Sequence, residues 1–154
     1  DEAIIRYVRR NHQLLIGEIN AERIKIEAGS ASQTVNGHGA EIHIRGRDLR
    51  HGKPKSIVLS PKDVADALTP CIDEMAEFIQ RALEDLPPEV SSDVCERGIY
   101  LTGGGALLDK LDVELERRVA VKFRVPELPL QSVVRGSAVV LADLAAYEHL
   151  LLRP

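Results

Sequence analysis

Three consecutive glycines, Gly103 to Gly105, are the residues whose type and spacing most directly suggest chemistry. The run before them, residues 97–101, has the composition of a short strand, and the leucines after them recur at helical spacing. We therefore expect a strand-to-helix junction. Glycine has no Cβ, so a ligand can approach the backbone closely, and a helix N-terminus offers free N–H groups to an anion. The junction suits a nucleotide or phosphate, but a simple turn would have the same composition, and neither GxxxxGK[ST] nor GxGxxG is present.

A second pair of chemically capable residues, Glu22 and Lys25, lies on a predicted short helix over residues 21–28. Asn20 is the predicted N-cap of this helix, and Gly29 is its predicted end. A spacing of three places both charges on one face. They could present a carboxylate and an ammonium to a polar ligand, or they could form a surface ion pair of little energetic value. From spacing alone, the ion pair is the preferred interpretation.

Composition limits the class of protein. The chain has 154 residues, enough for one domain with a hydrophobic core. Its formal net charge of −4 does not indicate nucleic-acid binding. No apolar run is long enough to cross a bilayer, so the default compartment is the cytoplasm. No metal-ligand spacing occurs, so no metal site is predicted.

The elements before the glycines follow from apolar spacing. A helix is predicted over residues 2–16, and strict alternation over residues 41–45 predicts a half-buried strand that pairs with residues 56–59. The tip of this hairpin is basic, which suits either an acidic partner surface or plain solvation. Its cations are Arg45, Arg47, Arg50, Lys53 and Lys55.

The second part of the chain has a helix on each side of the glycines. Ser60 caps a long helix that runs to about Leu86 with one continuous apolar stripe, and Pro70 should kink it. A helix over residues 106–118 and a strand over residues 121–125 complete a βαβ unit with parallel strands. Ligands of such sheets lie at the carboxyl ends of the strands, which is where the glycines are. The last helix is predicted over residues 132–152.

Four motifs go beyond these general patterns. They are DEAIIRYVRR at residues 1–10, LIGE followed by AERIK within residues 15–25, IRGRDL at residues 44–49 and ERGIYLTGGGALL at residues 96–108. Together they resemble the MreB family of bacterial actin homologues, the rod-shape-determining cytoskeletal proteins. The likeness covers almost the whole chain, with the motifs in the family's order.

The resemblance implies a fold and a domain organisation. The chain would be α/β and form part of the second half of an actin-like (ribonuclease H-like) ATPase fold, the C-terminal portion of such a protein. Residues 1–25 and 61–154 would form its incomplete large subdomain, and residues 26–60 a small inserted α+β subdomain with the hairpin. The exposed edge of an incomplete parallel sheet should leave the isolated chain marginally stable.

The resemblance also implies a nucleotide site. The helix residues would face the nucleotide, with Glu22 near the ribose and Lys25 beside the base, and the glycines would let it lie close to the backbone. The cofactor would be ATP or ADP with Mg²⁺. The aspartate-bearing hairpins with which this family grips phosphate and magnesium have no counterpart here, so enzymatic activity is left open. The implied site residues are Glu22, Arg23, Ile24, Lys25, Gly103, Gly104, Gly105 and Ala106.

The function implied is that of a slow ATPase that polymerises beneath the cytoplasmic membrane and organises wall synthesis and rod shape. Its partners would be other copies of itself and wall-synthesis and membrane-associated proteins, with no nucleic acid and with membrane contact through the first half alone. Two alternatives stay open. One is a stand-alone interaction module with an incomplete nucleotide site, and the other is a piece of another actin-superfamily ATPase, a sugar kinase or an Hsp70-like chaperone.

Overall fold

The computed structural model describes residues 1–32 and 41–150. The described ranges contain both helices and strands, which agrees with the predicted α/β class. In chain order the elements are α1 (Glu2–His12), β1 (Leu14–Leu15), α2 (Glu18–Ala28), β2 (Ile42–Asp48), β3 (Pro54–Leu59), α3 (Pro61–Glu84), α4 (Pro88–Arg97), β4 (Ile99–Tyr100), α5 (Leu111–Val119), β5 (Phe123–Arg124) and α6 (Ser132–Ala142). Short 3₁₀ helices cover Gly104–Leu107, Pro129–Gln131 and Glu148–Leu150.

The first sheet is antiparallel, in the order β1-β2-β3. Strands β2 and β3 form the predicted hairpin, with Ile42 opposite Leu59 and Arg47 opposite Pro54. Ile42 and Ile44 are buried and His43 is exposed, so the alternation predicted for this strand is confirmed.

Helix α1 is shorter than predicted. It ends at His12 because Gln13 takes a left-handed conformation, with φ of 52°. Leu14 and Leu15 then pair with Asp48 and Arg47 of β2 as strand β1. The fully buried Leu14 fits the apolar stripe of a helix as well as the core face of a strand, and the free edge of β2 decides in favour of the strand.

Helix α2 begins three residues earlier than predicted. Gly17, not Asn20, is its N-cap, and Gly29 ends it with an extended φ of −73°. Its buried residues Ala21, Ile24 and Ala28 pack it against the core. The predicted subdomain boundary after residue 25 falls inside this helix, and the division into subdomains stays a prediction.

Helix α3 starts as predicted, with a capping box. The Asp63 N–H donates to the Ser60 hydroxyl at 3.2 Å, and the Ser60 N–H donates to Asp63 Oδ2 at 2.9 Å. The helix continues through Pro70 to Glu84. The predicted apolar stripe is buried in its first half, at Val64, Leu68 and Ile72. In the second half Ile79 is only partly buried against the core, and Met75 is exposed.

The predicted parallel pair of strands is confirmed. Ile99 of β4 pairs with Phe123 of β5, and Tyr100 pairs with Arg124. The connection between them differs from the prediction of one helix over residues 106–118. The 3₁₀ helix Gly104–Leu107 follows the first glycine, and α5 begins only at Leu111, because Leu108 is extended and Lys110 has φ of 57°.

Helix α4 was not predicted, and α6 is shorter than predicted. Helix α4 has no buried residue, so it carries no apolar stripe that a periodicity argument could detect. Helix α6 ends at Ala142, and residues 151–152 of the predicted helix lie outside the described residues. Its apolar side chains, including Val133 and Leu141, are exposed.

The core lies between the antiparallel sheet and helices α1, α2 and α3, and it extends to α5. Its fully buried large side chains are Ile4, Val8, Leu14, Ile24, Ile44, Leu59, Val64, Ile72 and Leu115. Within the described ranges, none of the helices combines the length and apolarity that crossing a membrane requires.

Candidate functional site

We call residues 103–106 the glycine segment, and its backbone is open at the glycines. Gly103 has φ of 77°, a region that other residues rarely adopt, and a Cβ there would meet nothing within 4 Å. Its N–H donates to the Pro129 carbonyl at 2.9 Å, which anchors the segment to the 3₁₀ helix Pro129–Gln131. Gly104 and Gly105 are exposed, while Ala106 is buried. A ligand can therefore lie against the backbone of the glycines, with Ala106 as an apolar support.

The helix N-terminus expected directly after the glycines is displaced. The Leu108 N–H closes the 3₁₀ helix by donating to the Gly105 carbonyl at 3.1 Å. Leu108, Asp109 and Lys110 then separate the glycines from the first residue of α5. The prediction that the N-terminus of an α-helix offers its free N–H groups at the glycines is therefore wrong, and the glycines offer a ligand their open backbone instead.

The four candidate residues of α2 point in different directions. Glu22 and Arg23 are exposed, Lys25 is half-buried and Ile24 is fully buried in the core. The side chain of Ile24 can act only by holding the helix in place. Glu22 and Lys25 remain available at the surface.

Lys25 does not form the ion pair that its spacing from Glu22 suggested. Its Nζ lies 2.8 Å from Oδ1 of Asp1, and both side chains are about a third exposed. Arg23 Nη2 donates to the His43 carbonyl at 3.2 Å, which ties α2 to β2. An ion pair this exposed contributes little stability, so Lys25 can exchange Asp1 for a polar ligand at small cost.

A short connection joins the two groups of candidate residues. The Ser30 hydroxyl donates to Asp109 Oδ2 at 2.9 Å, and the Ala31 N–H donates to the Asp109 carbonyl at 2.8 Å. Gly29, at the end of α2, lies against Leu108, since a Cβ on it would be 2.9 Å from Leu108 Cδ1. The C-terminal end of α2 therefore lies next to Leu108 and Asp109, which follow the glycine segment. We call this contact the Ser30–Asp109 bridge.

Sequence reasoning missed the residues that make these connections. Ser30, Asp109 and Pro129 belong to no apolar period and no spacing motif, and their partners are distant in the sequence. Asp1, the partner of Lys25, carried no signal beyond its place in the first motif.

Two hollows adjoin the candidate residues. An apolar groove of about 430 Å³ lies between α3 and the glycine segment, and its lining includes Phe78, Leu101, Gly105 and Ala106. A second hollow, of about 440 Å³, has a mixed lining of charged residues, Asp1 among them, and apolar residues such as Leu68. In the described part of the chain, no group of three or more His, Cys, Asp or Glu residues is placed to hold a metal ion.

Comparison with known proteins identifies the family. The sequence model described as MreB/Mbl protein matches residues 1–149. The cell shape-determining protein MreB of Escherichia coli (strain K12) is 46% identical over 136 residues, which are 88% of this chain and 39% of that protein. The cell shape-determining protein Mbl of Bacillus subtilis (strain 168) is 39% identical over 144 residues, 94% of this chain and 43% of that protein.

Solved structures agree. MreB5 of Spiroplasma citri bound to ADP superimposes with a TM-score of 0.86 and 26% identity, over 93% of this chain and 43% of that chain. The same protein bound to AMPPNP gives a TM-score of 0.87. The chain thus spans about two fifths of the length of the curated relatives it matches. The match over residues 1–149, the curated relatives and the shared actin-like architecture together show that this chain belongs to the MreB/Mbl family.

Proposed function

We propose that this chain is a nucleotide-contacting part of an actin-like filament protein that organises wall synthesis and rod cell shape. The relatives with which it shares 39% to 46% identity are named cell shape-determining proteins. MreB5 of Spiroplasma citri, which has the same architecture, binds ADP and AMPPNP. The observation that carries the proposal is the Ser30–Asp109 bridge, because it joins the C-terminal end of α2, the helix of Glu22 to Lys25, to the residues that directly follow the glycines.

The nucleotide would be ATP or ADP. The Glu22 carboxylate would accept hydrogen bonds from the ribose hydroxyls, and Lys25 would lie beside the base after leaving Asp1. The open backbone at Gly103 to Gly105 admits a flat ligand without a Cβ in its way. Mg²⁺ would accompany the phosphates. We assign no hydrolytic step to the described residues.

Titration of the purified complete gene product with a fluorescent ADP analogue tests this assignment. Glu22→Gln and Lys25→Ala should each weaken binding by about tenfold, the effect of one charge-assisted hydrogen bond. Lys62→Ala removes an equally charged, exposed residue from the first turn of α3 and should leave affinity unchanged. Absence of saturable binding by the parent chain would contradict the proposal.

The same proposal includes self-association. Filaments would lie at the inner face of the cytoplasmic membrane, alongside wall-synthesis partner proteins, and the small subdomain of residues 26–60 would supply a contact between subunits. The exposed cations of the hairpin support this role, because complementary charge guides the assembly of protein surfaces.

A stand-alone interaction module is the second candidate. The apolar groove beside α3 favours it, since Phe78 is 71% exposed there and would suit an apolar partner. The two candidates differ in their response to nucleotide, so the titration above separates them. The third alternative, a piece of a sugar kinase or of an Hsp70-like chaperone, is excluded because the chain belongs to the MreB/Mbl family.

A further inference from the structure

Ser30 makes a partly buried polar contact across the fold, with the exposed Asp109. Ser30 itself is 7% exposed, and its hydroxyl donates to Asp109 Oδ2 at 2.9 Å. The backbone is joined at the same point, by the hydrogen bond from the Ala31 N–H to the Asp109 carbonyl at 2.8 Å. The Ser30 hydroxyl also accepts from the Ser32 N–H at 3.3 Å, and without Asp109 its own O–H would lose its acceptor in a nearly buried position, which is unfavourable. The bridge is therefore a defined link between segments 79 residues apart in the sequence.

Each end of the bridge continues directly into one group of candidate residues. The Gly29 N–H donates to the Lys25 carbonyl at 3.0 Å, and the Leu108 N–H donates to the Gly105 carbonyl at 3.1 Å. Gly29 and Leu108 are themselves in contact, and a Cβ on Gly29 would also come within 2.2 Å of the Lys25 carbonyl oxygen. A short, closely packed path of backbone bonds thus connects Lys25 with Gly105.

We propose that Ser30 and Asp109 are positioning residues of the nucleotide site. Their hydrogen bond sets the separation between Glu22–Lys25 on α2 and the backbone of Gly103–Ala106, an inference that rests on the proposed function. Neither residue has to touch the nucleotide. A ligand that contacts both groups binds more tightly when their separation is already fixed, because less freedom is lost on binding.

The test is a titration of the purified complete gene product with a fluorescent ADP analogue. Asp109→Ala and Ser30→Ala should each lower affinity by about tenfold, and the double variant should bind about as weakly as either single variant, because only one bond is lost. Asp109→Asn keeps an acceptor oxygen for the Ser30 hydroxyl and should stay within about twofold of the parent.

Asp93→Ala is the matched control. It removes another exposed carboxylate, which pairs with Arg97 on α4, and it should leave affinity unchanged. Urea unfolding of each variant gives the folded fraction, so a loss of stability is separated from a loss of affinity. Parent-like affinity in both alanine variants, or effects that add in the double variant, would overturn the inference while the proposed function stands.

Hydrogen exchange without nucleotide tests the bridge independently. In Asp109→Ala, exchange should rise together in residues 18–28 and 103–108 and stay unchanged in α4. If the parent chain binds no nucleotide while both segments respond, the proposed function and the nucleotide assignment are wrong, and the link between the segments is confirmed. If neither segment responds, the bridge positions nothing and the inference is overturned.

Discussion

At the scale of single residues, Asp63 shows how one carboxylate holds two elements. It accepts hydrogen bonds from the Ser60 N–H and hydroxyl at 2.9 and 2.6 Å, and from the hydroxyl of Tyr7 on α1 at 3.0 Å. Partial burial acts to raise the pKa of Asp63, but these hydrogen bonds outweigh it and lower the pKa from its ordinary value of 3.8. The ionised form therefore stabilises the start of α3 and its contact with α1.

Replacing Asp63 with Ala should lower the free energy of unfolding by about 1 to 2 kcal/mol near neutral pH, because the capping box and the Tyr7 hydroxyl both lose their carboxylate acceptor. Because the pKa is lower in the folded chain, the ionised carboxylate contributes fully above the unfolded value of 3.8, and its contribution is lost as the pH falls through the folded value. Urea unfolding at about pH 7 and about pH 2.5 measures this. The difference in the free energy of unfolding between the parent and Asp63→Ala should be smaller at the lower pH. A difference that stays constant would contradict the stabilising role of the ionised carboxylate.

The candidate site could be predicted only as far as local motifs reach. Glu22, Lys25 and the glycines stand in recognisable short motifs, so resemblance identifies them. Ser30 and Asp109 do not, because their bond joins distant segments and depends on where α2 ends. The conformation of Lys110, with φ of 57°, likewise has no signal in the sequence.

At the scale of elements, the sequence predicts those whose apolar face is buried. In strand β2 of the hairpin, apolar and polar residues alternate clearly, because Ile42 and Ile44 face the core. In the first half of α3, apolar residues recur clearly at helical spacing, because Leu68 and Ile72 face the core. Helix α4 buries none of its residues and was missed. Residues 106–118 were wrongly joined into one helix, since their leucines keep helical spacing across a break in the backbone that depends on tertiary contacts.

The hairpin tip carries a prediction about assembly. Arg47 and Arg50 are exposed, and Asp48, the acid among residues 45–55, is engaged by His51 and by the Arg50 N–H. The arginines therefore present positive charge outward. Reversing both, Arg47→Glu with Arg50→Glu, should raise the critical concentration for polymerisation of the complete gene product by about tenfold, because like charges would then oppose an acidic partner surface. Pelleting with nucleotide measures this.

Lys62→Glu is the control for charge reversal. It changes an exposed cation in the first turn of α3, where a negative charge favours the helix. Polymerisation of this variant should match the parent. Unchanged pelleting of the double arginine variant would remove the hairpin from the proposed contact between subunits.

At the scale of the whole molecule, much apolar surface is left uncovered. Val133, Val134 and Leu141 of α6 are 74%, 71% and 69% exposed. Within the described part of the chain, the parallel sheet has two strands. Parallel sheets are normally covered on both faces, and a pair of strands adds little stability by itself. The chain spans about two fifths of its curated relatives, so the uncovered surfaces fit a part that packs against further structure.

These surfaces predict marginal stability for the isolated chain, with a Tm below about 65 °C. A matched pair of valines locates the stabilising contacts. Val8 is fully buried, so Val8→Ala should lower Tm by about 4 to 8 °C, the effect of about 2 kcal/mol in a chain of this size. Val134→Ala removes the same atoms from an exposed position and should leave Tm within about 1 °C of the parent. Circular dichroism melts measure both. A cooperative transition above about 65 °C, or equal losses at the two valines, would mean that the isolated chain packs α6 into its own core.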